Sequence, residues 1–411
     1  MKFEKYNIRT SLKKRLKEIS FLRPTDIQYK AIPPILNGED VLAIAQTGTG
    51  KTAAFVIPLL HICLENRSEK KSTQPTVVIM VPTHELAIQI HEVILNMGKY
   101  TDIDSLALYG GADQSSQIAK LQKGVDILIA TPGRLFDLHA QKHLHLRSVR
   151  VLVLDEADHM LKLGFYKDIQ DLIQRLPKQR QTLFFSATID TEIKDLAYSL
   201  VRKPVKIHIS PKDPVNKNID HGLCYVEMDD KRFFLERLIK ENQDKKFIVF
   251  VRTRVRSERV VLAMERANIQ TLALHGAKDQ KTRTDVLEQF RTNQVRVLIA
   301  TDVSARGIDI ADIDFVINYD LPDISETYVH RVGRTGRGVK RGRAISFCAP
   351  EEKKLADEIE KYLGKEIKKL EISIEDYTMT KDLTDAKHFT IKDALEEIKN
   401  QPLKFNSKKS K

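Results

Sequence analysis

DVLAIAQTGTGKTAAFVIPLLHICL (residues 40–64) decides the fold. A short unbroken apolar run (40–45) passes into the loop AQTGTGKT (45–52), and the loop opens an apolar helical pattern. Strands buried on both faces, as in parallel sheets, read as unbroken apolar runs. In the loop, Gly48 and Gly50 let the backbone turn its amides toward a phosphate, with Ala45, Gln46, Thr47 and Thr49 completing the cradle. Lys51 then reaches β- and γ-phosphates, and the Thr52 hydroxyl ligates Mg2+. The general phosphate-loop pattern starts with Gly, where this chain has Ala45. A chance glycine-rich turn is the plain alternative, and the strand–loop–helix context argues against it.

The same strand-then-helix alternation runs outward in both directions, which predicts parallel sheets flanked by helices. The first half has strand candidates at 40–45, 76–82, 105–110, 126–132, 149–156 and 182–187, with a helix expected over 84–100. The second half restarts the pattern at 246–251, 271–276, 295–302, 315–320 and 343–348. A chain of 411 residues suits two domains and a tail. The expected division is a domain at 1–207, a linker at 208–221 rich in Pro, Asn and charge, a second domain at 222–370, and a polar, basic tail at 371–411 with one helix at 391–400.

VRVLVLDEADHM (149–160) is a second buried run that ends in acids. In open parallel sheets the carboxyl ends of the strands form the ligand edge. Asp155 is placed there to hold Mg2+, and Glu156 to position the attacking water. A solvated acidic helix cap is the alternative, and it weakens with a phosphate loop upstream.

DEAD (155–158), preceded by AQTGTGKT and followed by SAT (186–188), resembles the DEAD-box family of ATP-dependent RNA helicases over residues 3–350. The resemblance implies two tandem RecA-like domains, with the ATP site and an RNA groove between them, and ATP, Mg2+ and RNA as ligands. FLRPTDIQ (21–28) is similar to the family's adenine-reading motif: Gln28 pairs with the adenine edge, Phe21 stacks nearby, and Phe3 matches an upstream aromatic. An amide can match both N6 and N7 of adenine; read alone, Gln28 serves equally well as a helix cap. Ser20 stands where the family usually has Gly.

In TDVSARGIDI (301–310) and HRVGRTGR (330–337), the resemblance puts Gly307 at the nucleotide, Asp309 near the ribose, and Arg334 and Arg337 on the γ-phosphate as arginine fingers. If a helix begins at 330, His330, Arg334 and Arg337 share one face, and guanidinium forks suit a polyphosphate. A solvated basic loop is the alternative. The family's RNA-contacting positions fall on Pro82 and Thr83 in PTHELA, Gly111, Thr131, Pro132, Gly133 and Arg134 in TPGR, Thr253, Gln280, Arg283 and Thr301. Hydroxyls, glycine amides and guanidinium groups at strand ends suit phosphate and sugar oxygens, so binding is expected to ignore sequence. His84 stands where the family has Arg, which removes one basic contact, and Ser304 replaces a usual Ala. Ser186, Thr188 and His330 are expected to couple ATP state to RNA, the first two by bonding the DEAD acids.

The net charge of +12 favours an anionic partner. Cys63, Cys224 and Cys348 are far apart and read as core residues, which suits a reducing compartment. With no signal core at the N-terminus and no run of membrane-spanning length, a cytoplasmic monomer is expected. The short tail and the GKEIKKL segment resemble the bacterial RhlE-like branch, and protein partners through the tail remain open. Two other functions compete: a DNA helicase or translocase of the same superfamily, and a non-catalytic ATP-gated RNA clamp. The adenine-reading segment and HRVGRTGR argue against the first, the intact set of Lys51, Asp155, Glu156 and both arginines against the second.

Overall fold

The computed structural model describes residues 2–46, 48–66, 74–188, 191–209, 214–302, 313–336 and 340–381. The chain divides into two compact units, Met1–Lys212 and Asp213–Lys411.

In the first unit, β1 (Val41–Ala45), β2 (Val77–Met80), β3 (Ser105–Leu108), β4 (Ile127–Ala130), β5 (Val151–Leu154), β6 (Gln181–Ser186) and β7 (Val205–Ile209) form a parallel sheet in the order β3-β4-β2-β5-β6-β1-β7. Alternate residues of the apolar runs feed two cores: Val41, Ala43 and Ala45 of β1 join one, Leu42 and Ile44 the other. Helices α1 (Thr10–Glu18), α2 (Asp26–Leu36), α3 (Lys51–Glu65) and α4 (His84–Met97) fill the first core. The second takes α5 (Gln114–Gln122), α6 (Pro132–Ala140), α7 (Ala157–Lys162), α8 (Tyr166–Arg175) and α9 (Thr191–Leu200).

The second unit repeats the plan. Strands β8 (Ile219–Tyr225), β9 (Phe247–Phe250), β10 (Leu272–Leu274), β11 (Val297–Ala300), β12 (Phe315–Asn318), β13 (Gly342–Cys348) and β14 (Lys368–Leu370) run parallel in the order β10-β11-β9-β12-β13-β8-β14. Its helices are α10 (Lys231–Glu241), α11 (Arg254–Arg266), α12 (Gln280–Arg291), α13 (Ser325–Val332), α14 (Lys353–Leu363) and α15 (Ile374–Lys381).

Three strands depart from the sequence expectation. The segment 208–221 is not linker throughout, because β7 runs to Ile209 and β8 begins at Ile219. β8 is broken in pattern by Gly222, where a Cβ would collide with Leu370 of β14, so the glycine admits the neighbouring strand. The tail also begins later than 371. Within α15, Tyr377 packs at a tilt on Phe234, ring centroids 5.0 Å apart, and donates its hydroxyl to Asp230 at 2.9 Å. The helix expected at 391–400 lies outside the described residues. Among the described residues, no helix is long and apolar enough to cross a membrane.

Candidate nucleotide site and nucleic-acid interface

Strand order sorts the motifs along one sheet edge. Neighbouring β5, β6 and β1 end in the acids, SAT and the phosphate loop, whereas β3, β4 and β2 end in the glycine pair, TPGR and PTHELA. The carboxyl edge of an open parallel sheet is where ligands bind.

The phosphate loop is held by backbone geometry. Gly48 and Gly50 take φ of 80° and 94°, left-handed values that side chains resist. Thr49 donates to the Gln46 carbonyl at 2.8 Å, tightening the turn. Lys51 opens α3 and is 7% exposed, and its ammonium has no hydrogen-bond partner among the described residues. A buried, unpaired cation is costly in the ligand-free fold, and an anion placed against it removes that cost. Thr52 follows, half-buried, in the same first turn, while Thr47 lies outside the described residues.

Asp155 is buried at the end of β5. Burial pushes its carboxyl up to about 6; Lys51 works against the rise, and Glu156 adds to it. It accepts the Glu156 amide at 3.0 Å. Glu156 sits at φ 52°, an uncommon left-handed conformation for a residue with a side chain, and its carboxylate lies 3.4 Å from His159. Asp158 accepts the Thr188 hydroxyl and the Ala187 amide, each at 3.4 Å. Ser186 does not reach the acids; its hydroxyl donates to the Thr188 carbonyl at 2.7 Å and fixes that residue. A buried carboxylate, a hydroxyl in the first helical turn and an orphaned ammonium fit Mg2+ with a polyphosphate, because Mg2+ is held by one or two protein oxygens plus phosphates. Among the described residues, no group of three His, Cys, Asp or Glu forms a metal cage.

Gln28 is 1% exposed and occupied on both ends of its amide. Its oxygen accepts the Thr25 amide at 3.0 Å, closing a capping box on α2, and its nitrogen donates to the Gly50 carbonyl at 3.1 Å. The capping alternative is therefore realised, with a tether to the phosphate loop added. Each atom keeps one further bonding position, which leaves capacity for a base edge. Phe21 stacks on Phe3 at 5.2 Å, so the two aromatics form one platform.

On the other half of the edge, Pro82 is buried at the end of the β2 segment, and Thr83 caps α4 by accepting the Leu86 amide at 3.3 Å. His84 packs on Tyr109 at 5.5 Å. Gly111 is exposed at φ 78°. Thr131 is buried at the N-cap of α6, Pro132 is its first residue and Gly133 is exposed. Arg134 donates to Gln117 at 2.7 Å, while its Nε has no partner among the described residues.

In the second unit, Thr253 is exposed and caps α11 through the Arg256 amide at 3.2 Å. Gln280 opens α12, and Arg283 donates to the His275 carbonyl at 3.4 Å. Thr301 is buried just past β11, its amide on the Leu274 carbonyl at 3.2 Å. The helix that carries half-buried His330 ends at Val332, so Arg334 does not share its face; Gly333 ends it. Arg334 is buried and its Nε donates to the His330 carbonyl at 3.2 Å. Gly307, Asp309, Ser304 and Arg337 lie outside the described residues. The sequence reading passed over Arg331, whose guanidinium clamps Asp302 through two bonds of 2.6 and 2.7 Å and donates to the Asp320 carbonyl at 2.7 Å. The acid of TDV (301–303), standing at a strand end as Asp155 does, was the available signal.

Two seven-stranded parallel sheets, one with a phosphate loop and strand-end acids, define a tandem RecA-like nucleotide hydrolase. The DEAD/DEAH box helicase family matches residues 25–196, and the helicase conserved C-terminal domain matches residues 230–339. The chain belongs to the DEAD/DEAH box helicase family. It is 38% identical to the DEAD-box ATP-dependent RNA helicase RhpA of Helicobacter pylori, over 94% of this chain and 77% of that protein. It is 40% identical to the ATP-dependent RNA helicase RhlB of Shewanella frigidimarina, over 89% of this chain and 85% of the relative. Among solved structures, S. cerevisiae Dbp5 bound to RNA and ADP BeF3 matches with a TM-score of 0.81 at 29% identity, covering 93% of this chain and 99% of that one. Mss116 bound to ssRNA and UDP-BeF matches with a TM-score of 0.82 at 27% identity, covering 96% and 84%.

Proposed function

We infer that this chain is an ATP-dependent RNA helicase in which RNA-stimulated hydrolysis of ATP drives local separation of short duplexes or the removal of proteins from RNA. The observation that carries the reading is the buried Lys51 ammonium, without a hydrogen-bond partner among the described residues, beside the buried acid Asp155. Lys51 binds the β- and γ-phosphates and the loop amides orient them; Thr52 and Asp155 would hold Mg2+, which supplies charge neutralisation on the phosphate oxygens. Glu156, fixed by its backbone and by His159, orients the attacking water. Gln28 and the Phe3–Phe21 platform seat the adenine. Arg334 of the second unit, with Arg337, stabilises charge on the transferred phosphoryl group, so turnover requires the two units to close on the nucleotide. Phosphate and sugar contacts along β2, β3, β4, β9, β10 and β11 take RNA without reading its sequence. The three buried, free cysteines suit a reducing, cytoplasmic setting.

Turnover measured with single-stranded RNA, single-stranded DNA and no nucleic acid tests the reading. RNA is expected to raise turnover about tenfold or more by favouring the closed state, DNA to leave it near the basal rate. A short RNA duplex should separate only with ATP. Equal stimulation by DNA would make the chain a DNA translocase, and RNA binding without turnover would make it a clamp.

A further inference from the structure

Charged side chains converge where β9 and β12 end, and the function described so far gives them no role. Lys231, the first residue of α10, is 0% exposed. Its ammonium donates to the Tyr319 carbonyl at 2.8 Å and to Glu352, and stands 3.7 Å from Asp320. The other Glu352 oxygen accepts the Leu321 amide at 3.2 Å and the Arg252 guanidinium at 3.1 Å. Asp320 accepts the Arg252 amide at 3.0 Å and pairs with the Arg256 guanidinium at 2.7 Å. Arg252 also faces Asp323 at 3.4 Å.

Residues 252–256 are thus held at three points from one buried cluster: the Arg252 amide and side chain by hydrogen bonds, and the Arg256 side chain by an ion pair. Between them stands Thr253, exposed, its hydroxyl capping α11. A buried ammonium with two carboxylates is no better for stability than apolar side chains of the same volume. What the cluster supplies in addition is direction, because its hydrogen bonds weaken steeply away from a narrow range of distance and angle. We propose that Lys231, Asp320 and Glu352 are positioning residues that set the end of β9, Arg252–Thr253, for an RNA phosphate. The proposal rests on the reading that this strand end contacts RNA. Asp320 also joins that end to α13, since its carbonyl accepts Arg331.

The test is a double-mutant cycle on the full chain, with the RNA concentration giving half-maximal ATP turnover as its readout. Glu352→Gln keeps the volume and removes the charge that anchors Arg252. It is expected to raise the half-saturating RNA concentration about tenfold, with the KM for ATP and the turnover at saturating RNA within about twofold of wild type. Arg252→Gln should raise the RNA requirement similarly, and adding Glu352→Gln to it should change little, because one acts through the other. Asp320→Asn, which keeps an acceptor for the Arg252 amide, is measured beside them in case Glu352→Gln does not fold; it should show a smaller rise of the same kind. Unchanged RNA dependence in folded Glu352→Gln or Asp320→Asn, or additive effects in the cycle, would overturn the positioning role. Unchanged RNA dependence in Arg252→Gln and Thr253→Ala would instead overturn the RNA reading of β9.

Discussion

The two units share a sheet plan and differ in how they treat charge at its functional edge. In the first, the buried Lys51 ammonium has no hydrogen-bond partner among the described residues, and burial pushes the Asp155 carboxyl up to about 6. In the second, the buried cations Lys231 and Arg331 are bonded within the unit to carboxylates and carbonyls. One edge is therefore electrostatically incomplete until a ligand arrives. On the other, the Lys231 and Arg331 charges are matched by groups of their own unit. A buried group left unsatisfied costs stability that ligand binding returns, whereas a satisfied network costs mobility.

The largest test of that contrast is Lys51→Ala. ATP turnover is expected to fall to background while the nucleotide-free chain stays folded, since no hydrogen bond among the described residues is lost. Wild-type turnover would remove the phosphate loop from the chemistry. Next in size is Arg334→Ala, for which turnover at saturating RNA should drop about 10³-fold, the range of an arginine finger. ATP affinity should barely change, and Arg334→Lys should not restore activity, because an ammonium lacks the planar fork. A loss of RNA affinity with intact turnover would assign Arg334 to RNA instead.

Asp155→Asn separates stability from catalysis in the first unit. Its folded carboxyl is raised from 3.8 to about 6, so the fold favours the protonated form. The nucleotide-free chain then loses stability from this group as pH rises from about 4 to about 6, by up to roughly 3 kcal/mol, and is flat above. At pH 7.5 the Asn variant should melt higher than wild type yet turn over no ATP, and the stability gain should vanish near pH 4. Equal melting at both pH values would show that Asp155 is not strained by burial. The smallest expected effect is that of Gln28→Ala. Loss of the tether to Gly50 should weaken ATP and GTP alike, and loss of the base contact should weaken ATP further, about tenfold in total. Equal losses for the two nucleotides would reduce Gln28 to a brace.

What the sequence disclosed follows from how each feature is encoded. VLAIA, VVIM, ILIA and VLVL are unbroken apolar runs because both faces of their strands are covered, and they stood out as strands. β7 and β14 lie at the sheet edges, where only Ile207 and Leu370 are buried, so VKIHI and KKL carry no such run. In β8, Gly222 replaces a side chain because Leu370 occupies its place. The phosphate loop and the acids were legible because glycines, a lysine and strand-end carboxylates are local signals. The contacts of Lys231 with Glu352, of Arg331 with Asp302 and of Gln28 with Gly50 join residues far apart in the chain, and no local pattern announces them. Arg334 was expected on a helical face, but Gly333 ends the helix one residue before it, and its backbone turns back onto Arg331.

The side-chain oxygen of Gln28 caps α2 and its nitrogen holds the Gly50 carbonyl, so the start of a helix and the glycine loop are tied by the same few atoms. The residue that follows, Tyr29, is exposed on that first turn, and the chain contains no tryptophan. Tyr29→Trp would place a single indole one residue from the amide proposed to read the base. Its emission would follow nucleotide binding and release in real time, giving the enzyme a built-in optical gauge of its own occupancy.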